Sequence, residues 1–158
     1  MKQFTVKQIG TIRSAGEKQQ IILNPRYVPA LSGLDGFTHL QVLWWFSGSD
    51  NQKGRGSLKE ASPYRHSPAM LGTFATRSPL RANPIALSAA QVIHIDYENA
   101  LIDIAYIDAY DDSPVLDLKP YTPSLDRVET ARGPGWCAHW PQSYEQSGDF
   151  DWESEFRF

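Results

Sequence analysis

Two arginines four residues apart, Arg77 and Arg81, stand in a turn that also holds Ser78, Pro79, Asn83 and Pro84. Each proline fixes its own φ and biases the residue before it towards extended backbone, so the turn is predicted to be stiff. A stiff turn with two forked cations is a receptor for a carboxylate or a phosphate, because little ordering entropy is left to lose on binding. A proline-rich hairpin with solvated arginines fits the same residues. A second concentration of chemistry is Ile107-Asp-Ala-Tyr-Asp-Asp-Ser-Pro-Val-Leu-Asp-Leu-Lys-Pro-Tyr121. Its aspartates accept hydrogen bonds or protons and its lysine donates; a solvated turn followed by a strand exit also fits. A third is the segment 47–68, rich in Gly, Ser and Pro, with Lys53, Arg55, Lys59, Arg65 and His66. Glu60 is the one acid between Lys53 and His66.

Other chemistries lack their residues. No G-x-G-x-x-G follows a strand, and Gly54-Arg-Gly56 is not such a cradle. Cys137 and His139 are too few for a zinc site, and His39, His66 and His94 lie apart without ligand spacing, so no metal is expected. Serine-hydrolase and P-loop signatures are missing. The chemistry is therefore assigned to the arginine turn and the acidic turn.

The elements that must position these groups read as strands. Phe4 to Arg13 alternates apolar and polar residues, as a half-buried strand does. Gln20–Leu23, His39–Phe46, Met70–Thr76, Ile85–Asp96, Ala100–Ala109 and Val115–Leu118 are further β-prone runs. Leu31–Phe37, with glycines at 33 and 36, predicts a turn or one short helix, and Ser47–Pro68 a long loop. Strands without helical periodicity between them predict an all-β barrel or sandwich. Trp44 and Trp45 are adjacent on one strand and must face opposite ways. A small barrel buries one of them, and the other predicts a contact surface between copies of the chain.

The chain has 158 residues, 41% hydrophobic, enough for one ordinary domain with a core. A single cysteine excludes an internal disulfide framework. No apolar run approaches the ~20 residues that cross a bilayer, and the first residues do not resemble a secretory signal. The expectation is a soluble, cytoplasmic protein with no membrane partner. Net charge is −3, unevenly spread: residues 1–107 carry 11 Lys and Arg against 7 Asp and Glu, and residues 108–158 carry 4 against 11. The basic portion could guide a nucleic-acid backbone, although the acidic total argues mildly against tight RNA binding.

Three ordered blocks carry a family resemblance. Ala75-Thr-Arg-Ser-Pro-Leu-Arg-Ala-Asn-Pro-Ile-Ala-Leu-Ser88 resembles the signature of the TsaA-like family, of tRNA methyltransferase O type. Pro25-Arg-Tyr-Val-Pro-Ala-Leu-Ser-Gly-Leu-Asp-Gly-Phe-Thr-His-Leu40 resembles its G-L-E-G-F-S-H block, and residues 107–121 resemble its D-L-x-D-G-T-P-V-L-D-I-K-P-Y block. The opening Ile9-Gly-Thr-Ile-Arg-Ser14 also fits, so the resemblance spans roughly residues 8–127.

The resemblance implies a compact β-barrel with long loops over residues 1–130. Residues 131–158 would then be an irregular acidic and aromatic extension packed on the same domain. It implies S-adenosylmethionine as cofactor, a homodimer, and N6-methylation of threonylcarbamoyladenosine at position 37 of tRNA. A carboxylate fork for the cofactor is expected from Arg77, Ser78 and Arg81. Acceptors and backbone groups for its ribose and adenine are expected from Ile107, Asp108, Ala109, Tyr110 and Asp111, with an apolar slot from Ile85, Leu87 and Tyr110. Asp108, Asp117, Lys119 and Tyr121 are the catalytic candidates, and Lys53, Arg55, Lys59 and Lys119 the substrate-binding ones.

Two departures bear on the acceptor. Phe46-Ser-Gly48 stands where the family's tRNA enzymes often have Phe-His-Gln, and Asp112 replaces a turn glycine. The alternatives are a methyltransferase acting on a small molecule and a non-catalytic S-adenosylmethionine-binding module.

Overall fold

The computed structural model describes residues 2–16 and 18–157. It divides into two units: residues 1–51 with 83–127, and residues 52–82 with 128–158. The residues expected as a C-terminal extension thus share a unit with the segment that carries Arg77 and Arg81.

The first unit is a closed six-stranded antiparallel barrel. Its strands are β1 (Gly10–Arg13), β2 (Gln19–Leu23), β3 (His39–Trp45), β6 (Ile85–Asp96), β7 (Leu101–Ile104) and β8 (Ser113–Pro120). The order around the barrel is β1-β2-β7-β6-β3-β8, with β8 returning to pair β1. The all-β barrel expectation holds. Strict alternation explains the inward set, because Leu40, Val42 and Trp44 are buried while Gln41, Leu43 and Trp45 are half-buried. Trp44 pairs with Ala86 across the ladder, and Val42 with Ser88. Small inward residues on β6 leave room for the indole, whose Nε1–H donates to Ser88 Oγ at 3.0 Å. Ile12, Ile21, Leu40, Val42, Ile102 and Val115 complete a core with no accessible surface.

Several boundaries differ from the sequence reading. The opening strand is Gly10–Arg13; Phe4 and Val6 are exposed and lie outside any strand among the described residues. β7 stops at Ile104, after which Tyr106 is exposed and Ile107 turns back into the core. The glycines at 33 and 36 serve turns with φ of 83° and 90°, and a 3-10 helix lies just before them, at Pro25–Leu31. Asp112 adopts φ 61°, the left-handed conformation its glycine counterpart would take freely.

The second unit has its own ladder. The segment read as one long loop contains α1 (Gln52–Arg55) and β4 (Lys59–Ala61). β4 pairs with β5 (Met70–Gly72). Polar Lys59 and Glu60 hide this strand from any hydrophobic pattern. Two short helices follow in the tail, α3 (Tyr144–Ser147) and α4 (Trp152–Glu155); α2 (Pro123–Asp126) belongs to the barrel unit. The tail builds an aromatic cluster in which Tyr64 stacks on Trp136 at 5.5 Å and meets Trp140 edge-on at 4.9 Å. Trp152 packs against Trp140, Phe150 and Phe156.

Inside that cluster Glu155, 2% exposed, accepts from Trp140 Nε1 at 2.9 Å and from His139 Nε2 at 3.0 Å. Burial pushes its carboxyl up, but the bonds from His139 and Trp140 outweigh this and hold it below the usual carboxylate range.

Two tests follow from this packing. Trp44→Ala should destabilise the barrel by about 3–5 kcal/mol, because the cavity left by an indole collapses only in part. Chemical denaturation of the variant measures this. For Glu155 the folded pKa lies below the unfolded value. Its contribution is therefore present above that unfolded value and is lost as pH falls through the folded one. An acid titration of tryptophan fluorescence should show the tail loosening below the ordinary glutamate pKa of about 4.3, and Glu155→Gln should remove that step.

Candidate functional site

The outward face of β6, β3 and β8 gathers several candidates on one surface of the barrel. In register, Leu87 lies opposite Leu43, which lies opposite Asp117 on its other side. Gln41 likewise stands between Ala89 and Lys119, and Ile85 is opposite Trp45. Leu87 is 47% exposed although it sits in the middle of a ladder. A shift of register between Leu43 and Trp44 accommodates an extra residue on β8 and keeps Asp117 and Lys119 on this face.

Lys119 Nζ meets Asp117 Oδ2 at 2.6 Å. Two residues apart on a strand, they share a face, and the ion pair aims both side chains. As a partly exposed pair it adds little stability. Tyr121 follows on the same strand's exit; its N–H donates to the His39 carbonyl at 2.9 Å and its ring meets the His39 imidazole edge-on. Trp45 faces outward as expected for the partner of an inward Trp44, and its Nε1–H donates to Asp50 Oδ2 at 3.1 Å.

The acidic turn divides by role. Ile107 is buried in the barrel core, so only its backbone is available to a ligand, and its N–H already donates to Gln19 Oε1. Asp111 Oδ1 accepts from the N–H groups of Ser14 (2.8 Å) and Ala15 (3.2 Å), which tie the turn to the end of β1. The bond from Ser14 above all, then that from Ala15, holds its carboxyl below the usual range. Asp108 is exposed, Ala109 is half-buried, and the Tyr110 ring is 88% exposed.

In the second unit, Arg81 has a structural task. Its Nε donates to the Ser78 carbonyl at 2.6 Å and its Nη2 to the Thr76 carbonyl at 2.7 Å. Thr76 Oγ1 in turn donates to the Thr73 carbonyl, and the Leu80 N–H donates to Ser78 Oγ. Arg55 Nη1 closes the far end on the Ala82 carbonyl at 2.9 Å. The rigidity inferred from two prolines is thus reinforced by a guanidinium folded back on its own loop, which leaves fewer of its donors for a ligand. Arg77 presents an exposed side chain from the same loop. Lys53 and Lys59 are exposed, on α1 and β4.

Tyr64 is a functional candidate that the sequence reading does not contain. It is 8% exposed, and its ring stacks on Trp136. Burial raises its phenol above the ordinary value, with the Arg77 backbone opposing. Glu60, also close enough to act on Tyr64, has a buried Oε1 without a hydrogen-bond partner among the described residues. The only hint in the sequence is an aromatic residue beside Pro63, which no spacing rule flags. Among the described residues no group of three or more His, Cys, Asp or Glu could hold a metal, and no helix is long and apolar enough to cross a membrane.

The profile of the tRNA-methyltransferase O N-terminal domain matches residues 6–127. A probable S-adenosyl-L-methionine-binding protein of Archaeoglobus fulgidus is 31% identical over 145 residues, covering 83% of this chain and 37% of that protein. The tRNA (adenine(37)-N6)-methyltransferase of Escherichia coli is 29% identical over 127 residues, covering 79% and 53%. The crystal structure of TrmO from Pseudomonas aeruginosa superposes with a TM-score of 0.66 at 28% identity, covering 84% of this chain and 61% of that one. The chain thus spans between about a third and three-fifths of the length of these three relatives. The matched stretch takes in every barrel strand, the arginine loop and the acidic turn. This chain belongs to the tRNA-methyltransferase O N-terminal domain family.

Proposed function

We propose that this chain is an S-adenosylmethionine-dependent methyltransferase whose acceptor is N6 of threonylcarbamoyladenosine at position 37 of tRNA. The observation that carries the reading is the family match over residues 6–127, which includes both the arginine loop and the Asp108–Tyr121 segment. The name of the Escherichia coli relative supports N6 of adenine 37 of tRNA as the methylated atom, and the name of the Archaeoglobus relative supports the donor.

The residues fit the donor in kind. Arg77 offers a forked cation for the amino-acid carboxylate, with Ser78 beside it as a hydroxyl donor. Ile85, Leu87 and the exposed Tyr110 ring offer apolar surface for adenine, and Asp108 with the backbone of 107–111 offers acceptors and donors for ribose and the base edge. Bound S-adenosylmethionine supplies a methyl group already activated on a sulfonium, so the protein's task is mainly approach geometry and exclusion of water. The acceptor nitrogen must shed a proton as it is methylated. We assign this to Asp117, which lies on the outward barrel face with Lys119 against it, with Asp108 as the exposed alternative on the acidic turn. Tyr121 and Lys119 offer a hydroxyl and an ammonium to the acceptor's carbonyl and carboxylate groups.

Lys53, Arg55 and Lys59 are assigned to the tRNA backbone, as phosphate partners that position without reading sequence. A cytoplasmic homodimer belongs to the same reading. It is supported by exposed apolar side chains such as Leu58 and Phe74 in the second unit.

Calorimetry of the wild-type chain should show S-adenosylmethionine binding that Arg77→Ala weakens by about ten-fold or more, the scale of a lost charge-assisted bond. Absence of binding by folded wild type would overturn the reading. Methyl transfer from labelled donor should require tRNA that already carries threonylcarbamoyladenosine. Affinity for that tRNA should fall steeply with added salt as neutralised phosphates release counterions. Reversing the charges of Lys53, Arg55 and Lys59 together should flatten this slope and slow transfer without altering donor affinity. A shallow slope with turnover on a small acid would point to the small-molecule acceptor instead, and binding without any turnover to the non-catalytic module.

A further inference from the structure

Three rungs of the ladder between β3 and β8 form the outward face that carries Asp117 and Lys119. Leu43 lies opposite Asp117, Gln41 lies opposite Lys119, and the His39 carbonyl takes the Tyr121 N–H. The middle rung holds an amide. Gln41 is half-buried, with Lys119 on one side and the small Ala89 on the other. Lys119 Nζ meets Asp117 at 2.6 Å, and among the described residues the Gln41 carboxamide has no hydrogen-bond partner. A carboxamide offers a donor and an acceptor side by side in one plane. Next to an aimed ion pair, it is a receptor for a neutral group that carries a carbonyl and an N–H together.

We propose that Gln41 is a specificity-determining residue for the methyl acceptor, its carboxamide pairing with the carbamoyl group that distinguishes threonylcarbamoyladenosine from adenosine. This rests on the reading of the chain as a tRNA methyltransferase with Asp117 as the proton acceptor.

The order of groups on the face matches the order of groups on that acceptor. Leu43 offers apolar surface to the base beside Asp117, where N6 sheds its proton. Beyond N6 the arm presents a carbonyl and an N–H, and it ends in a carboxylate. Gln41 is diagonal to Asp117, roughly 7–8 Å away in such a ladder, and directly opposite Lys119. The extended arm covers this step, so its carbamoyl group meets the amide and its carboxylate meets the ammonium. The Gln41 NH2 donates to the carbonyl and the Gln41 oxygen accepts from the N–H. Plain adenosine has neither group, whereas phosphate contacts elsewhere on the chain serve both RNAs alike. The preference for one RNA over the other therefore reports on this rung.

The experiment uses the full chain and two synthetic anticodon stem-loop RNAs, one carrying threonylcarbamoyladenosine at position 37 and one carrying adenosine there. Wild type should bind the first more tightly. Gln41→Met keeps the length of the side chain and removes the amide. It should lose about ten-fold of that preference, the scale of two hydrogen bonds to neutral groups. Its affinity for the unmodified RNA, its affinity for S-adenosylmethionine and its melting temperature should match wild type. In methyl transfer KM for the modified RNA should rise at unaltered kcat, whereas Asp117→Asn should lower kcat and keep the preference. If wild type methylates the modified RNA and Gln41→Met keeps the full preference, the role of Gln41 is overturned and the function stands. Equal binding of both RNAs by a wild type that methylates the modified one overturns it as well. So does a variant that loses affinity for both RNAs alike with a lowered melting temperature, which marks a structural residue. If wild type neither prefers nor methylates the modified RNA, the proposed acceptor falls and the role of Gln41 with it.

Discussion

Closure of the barrel depends on an atom that is missing. Gly10 lies in β1 between two neighbours, opposite Leu23 of β2 and Val115 of β8. A Cβ there would stand 2.3 Å from the Ile22 carbonyl oxygen, which is backbone and cannot move aside. Any side chain at position 10 would push β2 away from β1 at the point where the sheet closes. Once closed, the barrel has no free edge, and inward residues such as Ile12, Leu40, Val42 and Val115 lose all their accessible surface. Trp44 could not be buried beside Ala86 and Ser88 otherwise. The outward register that aligns Leu87, Leu43 and Asp117 follows from the same closure, since a slip of one residue would exchange the two faces.

How much of this the sequence discloses depends on whether a residue's role is local. β3 and β6 are visible because their alternation is long and their inward residues are apolar or small. The edge of the strand pattern is harder to place. Phe4 and Val6 alternate as a strand does, yet both are exposed and outside the strands of the described residues, and pairing is a tertiary property that periodicity does not contain. β4 goes unread for the opposite reason: Lys59 and Glu60 carry no hydrophobic signal, and their strand is defined by Met70–Gly72 alone. The motif residues of the site were legible as types and spacing. Their division of labour was not, because Arg81 and Arg77 look alike in sequence, and the bonds by which Arg81 folds back on Ser78 and Thr76 are tertiary detail.

Electrostatics in the two units are organised differently. On the barrel face, the Asp117–Lys119 pair is partly solvated, so its value is orientation. In the second unit Glu155 is withdrawn from water and satisfied by His139 and Trp140. A buried carboxylate with two donors specifies one arrangement of the rings around it, where a purely apolar cluster would tolerate several. Asp111 is a third case: it stays exposed, and its two backbone donors let a carboxylate act as the turn's fastener while Asp112 takes the left-handed backbone.

The second unit is assembled from two stretches of chain, and Tyr64 bridges to Phe156 across the whole intervening barrel sequence. Such a bridge is available to a growing chain only once Phe156 has been made, after every strand of the barrel. It also carries a large loop-closure cost, which slows its formation even after synthesis is complete. The barrel segment from residue 83 to 127 is therefore made before the aromatic cluster can exist. A nascent chain passes through a stage in which the strands are present and Tyr64 has no tail rings to pack against. Order in this molecule is acquired in a sequence, with the rings around Tyr64 assembling after the barrel strands are made.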